Sequence, residues 1–336
     1  MKTRELIRPV PSEEPSPGQK AQIARRFGML LHFGVNTFGN VEWSDGMIQA
    51  LSYQPREIDA EGWVKTAWEA GMNYVVLVAK HHDGFCLWNS RHTGYCVRNS
   101  GNRTDVVRAV AAACEKYGLK LGLSYSLWDR SAPAYREDFS GKYIPYMLDQ
   151  LAELLDGRYG EVAELWLDGF WDRPGADWRL ELVYDLVKRL QPSCQIGVNH
   201  TMGTPGDRPV GQEERLLPQT SQEEDLLGRF PSDFRLWDSR MCREDDPKLY
   251  TLGGETYYLP FETALCSREG FSWFYSNIYE RKPFLPAEET AAQCRALFAA
   301  DNLAAINLPP DVNGRLVEGD VAHLMDIARR LGTARI

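Results

Sequence analysis

Asp168 closes the apolar run A-E-L-W-L-D-G over Ala163–Gly169, as a buried strand does when it delivers an acid to the edge of a sheet. A carboxylate is expensive to bury without a partner, so an Asp there either caps the next helix or meets a substrate. Two other apolar runs end in a similar way. Tyr74–Ala79 leads into Lys80-His81-His82-Asp83-Gly84-Phe85, and Met29–Leu31 leads into His32-Phe33-Gly34. On the rim of one sheet these ends gather an acid, three imidazoles and the phenol of Tyr125 round a common pocket, with Trp43, Trp88, Trp128 and Trp166 nearby. Imidazoles and carboxylates read hydroxyl groups, and indole rings cover apolar C–H faces. The set therefore suggests carbohydrate chemistry. Histidines also bind metals, but no further ligands at fixed spacing accompany these, so neither a metal nor another cofactor is expected.

For those ends to converge, the strands must run parallel and side by side. Strand-like runs at Gly28–His32, Tyr74–Ala79, Lys120–Tyr125, Ala163–Leu167, Gln195–Val198, Tyr257–Phe261, Gly270–Phe274 and Ala304–Asn307 alternate with helical patterns. The helical patterns cover Asp59–Ala70, Asp105–Tyr117, Ile144–Tyr159, Asp177–Leu190, Ala287–Asn302 and Asp320–Leu331. Several helices start on an acid and others stop at a glycine, as Ala70-Gly71 and Tyr117-Gly118 do, both of which suit helix ends. About eight strands sharing one rim fit a closed (β/α)8 barrel better than an open doubly wound sheet. No G-x-G-x-x-G or P-loop follows the first strand, which argues against a nucleotide site. The expected architecture is α/β: a single TIM-like (β/α)8 domain over 21–336, preceded by a flexible N-terminal arm over 1–20. The stretch Gly203–Pro247 is rich in Pro, Gly, Glu and Asp; it is long for a connection and is expected to be a loop insertion over the active face.

Composition narrows the class. A net charge of −9 argues against gripping nucleic acid or an anionic membrane, and no apolar stretch is long enough to span a bilayer. The seven cysteines are scattered without a C-x-x-C pair, and the N-terminus has no apolar signal-like core. Both features lead to the expectation of a reduced, cytoplasmic protein. A small-molecule or oligosaccharide partner is expected, and homo-oligomers are left open.

Longer motifs give the chain a resemblance. R-F-G-M-L-L-H-F-G-V-N-T-F from Arg26, V-V-L-V-A-K-H-H-D-G-F-C-L-W from Val75 and L-K-L-G-L-S-Y-S-L-W-D-R from Leu119 resemble the α-L-fucosidases of glycoside hydrolase family 29. So do Y-G-E-V-A-E-L-W-L-D-G from Tyr159 and L-A-A-I-N-L-P-P-D-V-N-G from Leu303. These segments occur in the family's order from about Arg26 to Leu331. The resemblance implies a catalytic barrel without the C-terminal β-sandwich that many members carry. It also implies a retaining exo-glycosidase that hydrolyses α-L-fucosides through a covalent glycosyl-enzyme. By motif match Asp168 is the nucleophile, and His32, Glu42, Trp43, His81, His82 and Tyr125 are sugar-binding positions, with Trp166 added beside the nucleophile.

The second carboxyl is left open, because the family draws its acid/base from a variable loop. Spacing from Asp168 favours Glu213 or Glu214, whereas the apolar run before Glu262 favours that residue, since desolvation raises a carboxyl's pKa towards that of a proton donor. Asp238 is a further candidate. In the segment from Val198 to Gly203, Thr201 stands where many members have a sugar-binding arginine, and Arg208 or Arg215 could substitute. That departure motivates the alternative of a sugar-binding pseudo-enzyme lacking an effective acid/base.

Overall fold

The computed structural model describes residues 4–173, 175–199, 230–238, 241, 246, 248–270 and 272–335. Eight parallel strands close into a barrel: β1 (Phe27–Leu31), β2 (Tyr74–Lys80), β3 (Lys120–Ser126), β4 (Val162–Asp168), β5 (Gln195–Asn199), β6 (Phe234–Leu236), β9 (Phe261–Cys266) and β10 (Leu303–Asn307). Between β6 and β9 lies a separate antiparallel hairpin, β7 (Leu249–Leu252) and β8 (Glu255–Tyr258). Closure is made by β1 pairing with β10, Phe27 opposite Ala304. The expected (β/α)8 architecture is therefore present.

Helices cover the outside, and the capping chemistry read from the sequence explains where they start. Asp59 accepts from Gly62 N at 3.0 Å to open the helix Ala60–Glu69, and Asp105 accepts from Arg108 N at 3.0 Å to open Val106–Tyr117. Each carboxylate satisfies an amide that has no partner in the first turn. Gly118 then stops the second helix in the left-handed region (φ +69°), which is cheap only for a residue without Cβ.

Alternate strand residues fill the barrel or face the helices. Leu30, Val76, Val78, Trp166, Phe234, Leu236, Ala264 and Ala305 form the interior cluster, whereas Met29, Leu31, Val75, Leu77, Leu165 and Leu167 join the core beneath the helices. Large interior residues need small neighbours. A Cβ on Gly28 would lie 2.4 Å from the Tyr74 ring, and one on Gly197 would lie 2.5 Å from the Phe234 ring.

The departures from expectation cluster after β5. The run Tyr257–Phe261 straddles two elements: the hairpin strand ends at Tyr258 and the barrel strand starts at Phe261. Residues 272–274 of the run Gly270–Phe274 are loop, folded inward over the barrel mouth by hydrogen bonds described below. The real sixth strand, Phe234–Leu236, lies inside the stretch 203–247 that reads as an insertion. It is only three residues long, and its middle residue is an arginine. Arg235 nevertheless has no exposed surface, because it faces outward beneath the hairpin and is held by Leu259 O, Tyr250 Oη and Asp246 Oδ1.

The arm expected to be flexible is tied to the barrel. Ile7 N donates to Asp185 Oδ1 at 2.8 Å and Ser12 N to Thr256 O at 2.8 Å. Its last residues start the helix Pro17–Ile23, closed by a reciprocal box between Ser16 and Gln19. Gln19 Nε2 reaches on to the carbonyls of Asp233 and Tyr258.

Candidate active site

The C-terminal strand ends carry the chemistry, as in other barrels of this kind. Asp168 is the last residue of β4, and its side chain is one-fifth exposed. Its Oδ1 accepts from Asn199 Nδ2, at the end of β5, at 2.8 Å. Its Oδ2 lies 3.7 Å from His82 Nε2. Neither of the next two described helices is capped by this side chain. One oxygen is anchored, and the other faces an imidazole.

Three histidines line the mouth, and their neighbours fix much of their tautomers. Asn307, at the end of β10, donates through Nδ2 to the carbonyls of Ser272 and Trp273, so its Oδ1 is the atom facing His32 Nδ1 at 2.8 Å. His32 therefore carries its hydrogen on Nδ1 and presents Nε2 as an acceptor. Burial, aided by His81, lowers its pKa to about 3, so the ring is neutral at ordinary pH. Asn36 Nδ2 donates both to Glu42 O and to His81 Nδ1 at 3.2 Å, which leaves the hydrogen of neutral His81 on Nε2. Ser126 Oγ gives its hydrogen to Trp128 O, so it accepts from His82 Nδ1 at 2.7 Å.

Aromatic rings complete the wall. Trp43, half exposed, meets His82 (5.5 Å between centroids) and Trp128 (5.9 Å) edge-on and stacks with Trp171 at 6.4 Å and 24°. Across the mouth, His32 packs against Trp273 and Phe274, each at 5.2 Å. Trp166 belongs to the same apolar cluster as Trp273 and Phe274, so its indole forms the floor. Glu42 works by holding a wall. Its Oε2 accepts from Trp273 N at 3.1 Å and Phe274 N at 3.0 Å, and burial raises its pKa against those bonds.

His32, Glu42, Trp43, His81, His82, Trp166 and Asp168 thus come together, and Tyr125 does not. Residues paired across parallel strands share a face. Ser126 pairs with Asp168 and faces in, whereas Tyr125 pairs with Leu167 and faces out. Its hydroxyl, fully buried under the helices, bonds Gln150 and Lys80. Trp88 is likewise in the helical layer, donating to Glu153.

Glu262 is at the wrong end. It faces the barrel interior but accepts from Tyr74 Oη at 2.5 Å, near the start of β2, and neighbours Glu164 and Arg25. Glu164 lies four residues before Asp168, roughly 13 Å along an extended strand, with Trp166 between. Burial does raise the Glu262 pKa well above the usual carboxyl range, reinforced by Glu164. The desolvation argument holds for the group but not for its place.

Glu213, Glu214, Thr201, Arg208 and Arg215 lie outside the described residues. Among the described residues, Asp238 is brought beside Asp168. Asn199 Nδ2 donates to Asp238 Oδ1 at 2.6 Å as well as to Asp168, and Asp238 N donates back to Asn199 Oδ1 at 3.3 Å. Both carboxylates thus accept from one amide nitrogen, which holds them as near neighbours.

Donor atoms of His81, His82 and Asp168 lie within 4.8 Å of one another, the set among the described residues best able to hold a metal ion. The sequence reading missed Asn199, Asn307, Trp171, Trp273 and Phe274. Asn199 and Asn307 had a visible signal, an amide directly after a Val or Ile at a strand end.

The family model described as alpha-L-fucosidase matches residues 16–332. Alpha-L-fucosidase 1 of Arabidopsis thaliana is 31% identical over 332 residues, covering 96% of this chain and 60% of its own length. The chain thus spans less than two thirds of that relative. A solved structure named SpGH29 superimposes with a TM-score of 0.74 at 25% identity, covering 96% of this chain and 70% of that one. Alpha-L-fucosidase isoenzyme 1 from Paenibacillus thiaminolyticus shares the fold, with a TM-score of 0.69 at 23% identity over 93% of this chain and 75% of its own.

Proposed function

Because the chain belongs to the alpha-L-fucosidase family, we propose that it is a retaining exo-glycosidase acting on α-L-fucosides, with Asp168 as the nucleophile. The observation that carries this reading is the setting of Asp168: a carboxylate on the rim, one oxygen pinned by Asn199, the other facing His82 among the indoles of Trp43, Trp128 and Trp171.

In the first step Asp168 attacks the anomeric carbon as the bond to the leaving oxygen breaks, and an acid protonates that oxygen. In the second step the same acid, now a base, takes a proton from water, which displaces Asp168 from the sugar. Anchoring by Asn199 holds the nucleophile in one rotamer, so little conformational freedom is lost at the moment of attack. His32 accepts from a sugar hydroxyl through Nε2, and His81 donates to one through Nε2. The acid/base is one of three carboxyls: Asp238, which Asn199 ties to Asp168, or Glu213 or Glu214 from the segment after β5. The expected cytoplasmic location remains part of this proposal, and the scattered cysteines without a C-x-x-C pair support it. Among the described residues no helix is long and apolar enough to cross a membrane.

The test uses a 2-deoxy-2-fluoro-L-fucosyl fluoride, whose fluorine slows hydrolysis of the covalent intermediate. Peptide mapping is expected to find one added sugar on Asp168, and Asp168→Ala is expected to lose turnover by several orders of magnitude while remaining folded. Ala variants of Asp238, Glu213 and Glu214 are then assayed with azide on an aryl α-L-fucoside. Rescue identifies the acid/base. A label on another residue, or no rescue in any of the three, overturns the two-carboxyl assignment.

A further inference from the structure

Lys80 is a buried cation that the site does not use directly, although it immediately precedes His81 and His82. The pairing of β2 with β3 slips after Val78. Val78 lies opposite Ser124, and Lys80 opposite Tyr125, so two β2 residues face one on β3. Such a bulge turns a side chain to the other face. Lys80 thereby faces out with Tyr125, and His81 and His82 are left facing the mouth.

Outside the barrel, Lys80 Nζ meets Asp129 Oδ2 at 3.0 Å with neither side chain exposed. It also donates to Tyr125 Oη at 3.0 Å and lies 4.1 Å from the centroid of that ring. The other oxygen of Asp129 organises the loop after β3, accepting from Ser131 N, Ser131 Oγ and Ala132 N at 3.1, 2.9 and 2.9 Å. The β2 loop presses on the same carboxylate: a Cβ on Gly84, which has φ +89°, would lie 2.2 Å from Asp129 Oδ1. Between Trp128 and Ser131, Arg130 N donates to His82 O at 2.9 Å, Arg130 Nη1 reaches Ser44 O at 2.8 Å, and the guanidinium covers the Trp128 ring at 4.8 Å. One carboxylate thus ties the segment carrying His82 to the segment carrying Trp128. A buried ion pair is a poor device for stability alone, since well-packed apolar residues of similar volume often serve as well or better.

We propose that the Lys80–Asp129 pair is the positioning element of the catalytic rim, locking the β2 bulge to the loop after β3 so that His82 and Trp128 stand against Asp168 and Trp43. The proposal rests on Asp168 being the nucleophile. His32, Asn307, Trp273 and Phe274 hang from β1, β10 and the loop after β9, so the far wall has its own anchors and meets the β2 segment only where His81 packs against His32 and Phe274.

The test compares the parent with Lys80→Met/Asp129→Leu, which removes both charges together and leaves no unpaired ion. Melting temperature, kcat per folded molecule, KM on an aryl α-L-fucoside and crystal structures are the readouts. The expected double variant melts within a few degrees of the parent and loses kcat about tenfold or more, with KM within about threefold, because the nucleophile's side of the site shifts while the far wall holds. Its crystal structure shows the His82 and Trp128 rings displaced. A folded variant with kcat within about twofold of the parent, or with both rings unmoved, overturns the proposal. If the double variant does not fold, the same readouts on Asp129→Asn, which keeps an acceptor for Ser131 and Ala132, decide it. A parent inactive on the aryl fucoside overturns the fucosidase reading instead, and the ring positions still judge the pair.

Discussion

Replacing Glu262 by Gln is expected to stabilise this protein at neutral pH. Glu262 and Glu164 face one another at the closed end of the barrel, both fully buried, with Arg25 as the cation between them. Arg25 bonds Glu164, so the proton stays on Glu262, whose pKa burial and Glu164 push well above the ordinary range. A raised carboxyl pKa contributes stability that is complete below the unfolded value of about 4.3 and is lost as pH rises towards the folded value, at about 1.4 kcal/mol per unit. As pH rises above the unfolded value, the folded chain keeps a proton that the unfolded chain releases, and the penalty grows until the folded carboxyl itself titrates. A glutamine offers Glu164 an N–H and Tyr74 an acceptor without titrating. Each pH unit of that penalty removed is worth about 1.4 kcal/mol, or about 2 °C at this chain length. Melting temperatures of parent and Glu262→Gln are measured from pH 4 to pH 8. The difference should be near zero at pH 4 and widen upward. A gap that does not change with pH, or a variant less stable than the parent at pH 7, refutes the reasoning. So does a large loss of turnover rescued by azide, which would return Glu262 to the acid/base role.

Three other outcomes follow from the same geometry. Tyr125→Phe removes the hydroxyl bonded to Gln150 and Lys80 on the outer face; it should cost about 1 kcal/mol of stability in chemical denaturation and leave KM within about twofold. Turnover should survive dialysis against a chelator, since Asp168 is read as a nucleophile and not as a ligand beside His81 and His82; loss restored by a divalent cation would reverse that. His32, with its pKa lowered to about 3 by burial, should show a neutral imidazole by NMR down to roughly pH 4, and protonation near pH 6.5 would mean an open, wet site.

Much of this was legible in the sequence because strand ends carry their chemistry within the strand itself. Asp168 and His32 follow directly on apolar runs and the pair His81-His82 follows one after Lys80, and a barrel converts that adjacency into convergence. The sixth strand was not legible. Phe234–Leu236 offers two apolar residues around Arg235, and the arginine is satisfied by a hairpin that local periodicity cannot see. Trp273 and Phe274 were read as strand because they are aromatic and apolar. Their backbone instead bonds Glu42 and Asn307, at distant sequence positions, and only tertiary structure reveals that.

Tyr125 and Glu262 show where a motif or an environment is not enough. Tyr125 sits in a strand end that matches the family's sugar-binding position, yet parity decides its direction. If Asp168 points inward from β4, its partner Ser126 points inward from β3, and the residue before Ser126 must point out. Glu262 has the burial of a proton donor, yet it lies in the second position of its strand, whereas Asp168 is the last of its own. In a parallel barrel, chemistry gathers at the ends where the strands finish. A carboxyl near the start of a strand therefore shapes the response of stability to pH and takes no part in the chemistry of the rim, whatever its pKa. The same reasoning favours Asp238, two residues beyond the end of β6 and tied through Asn199 to Asp168, over Glu262 as the carboxyl to mutate first.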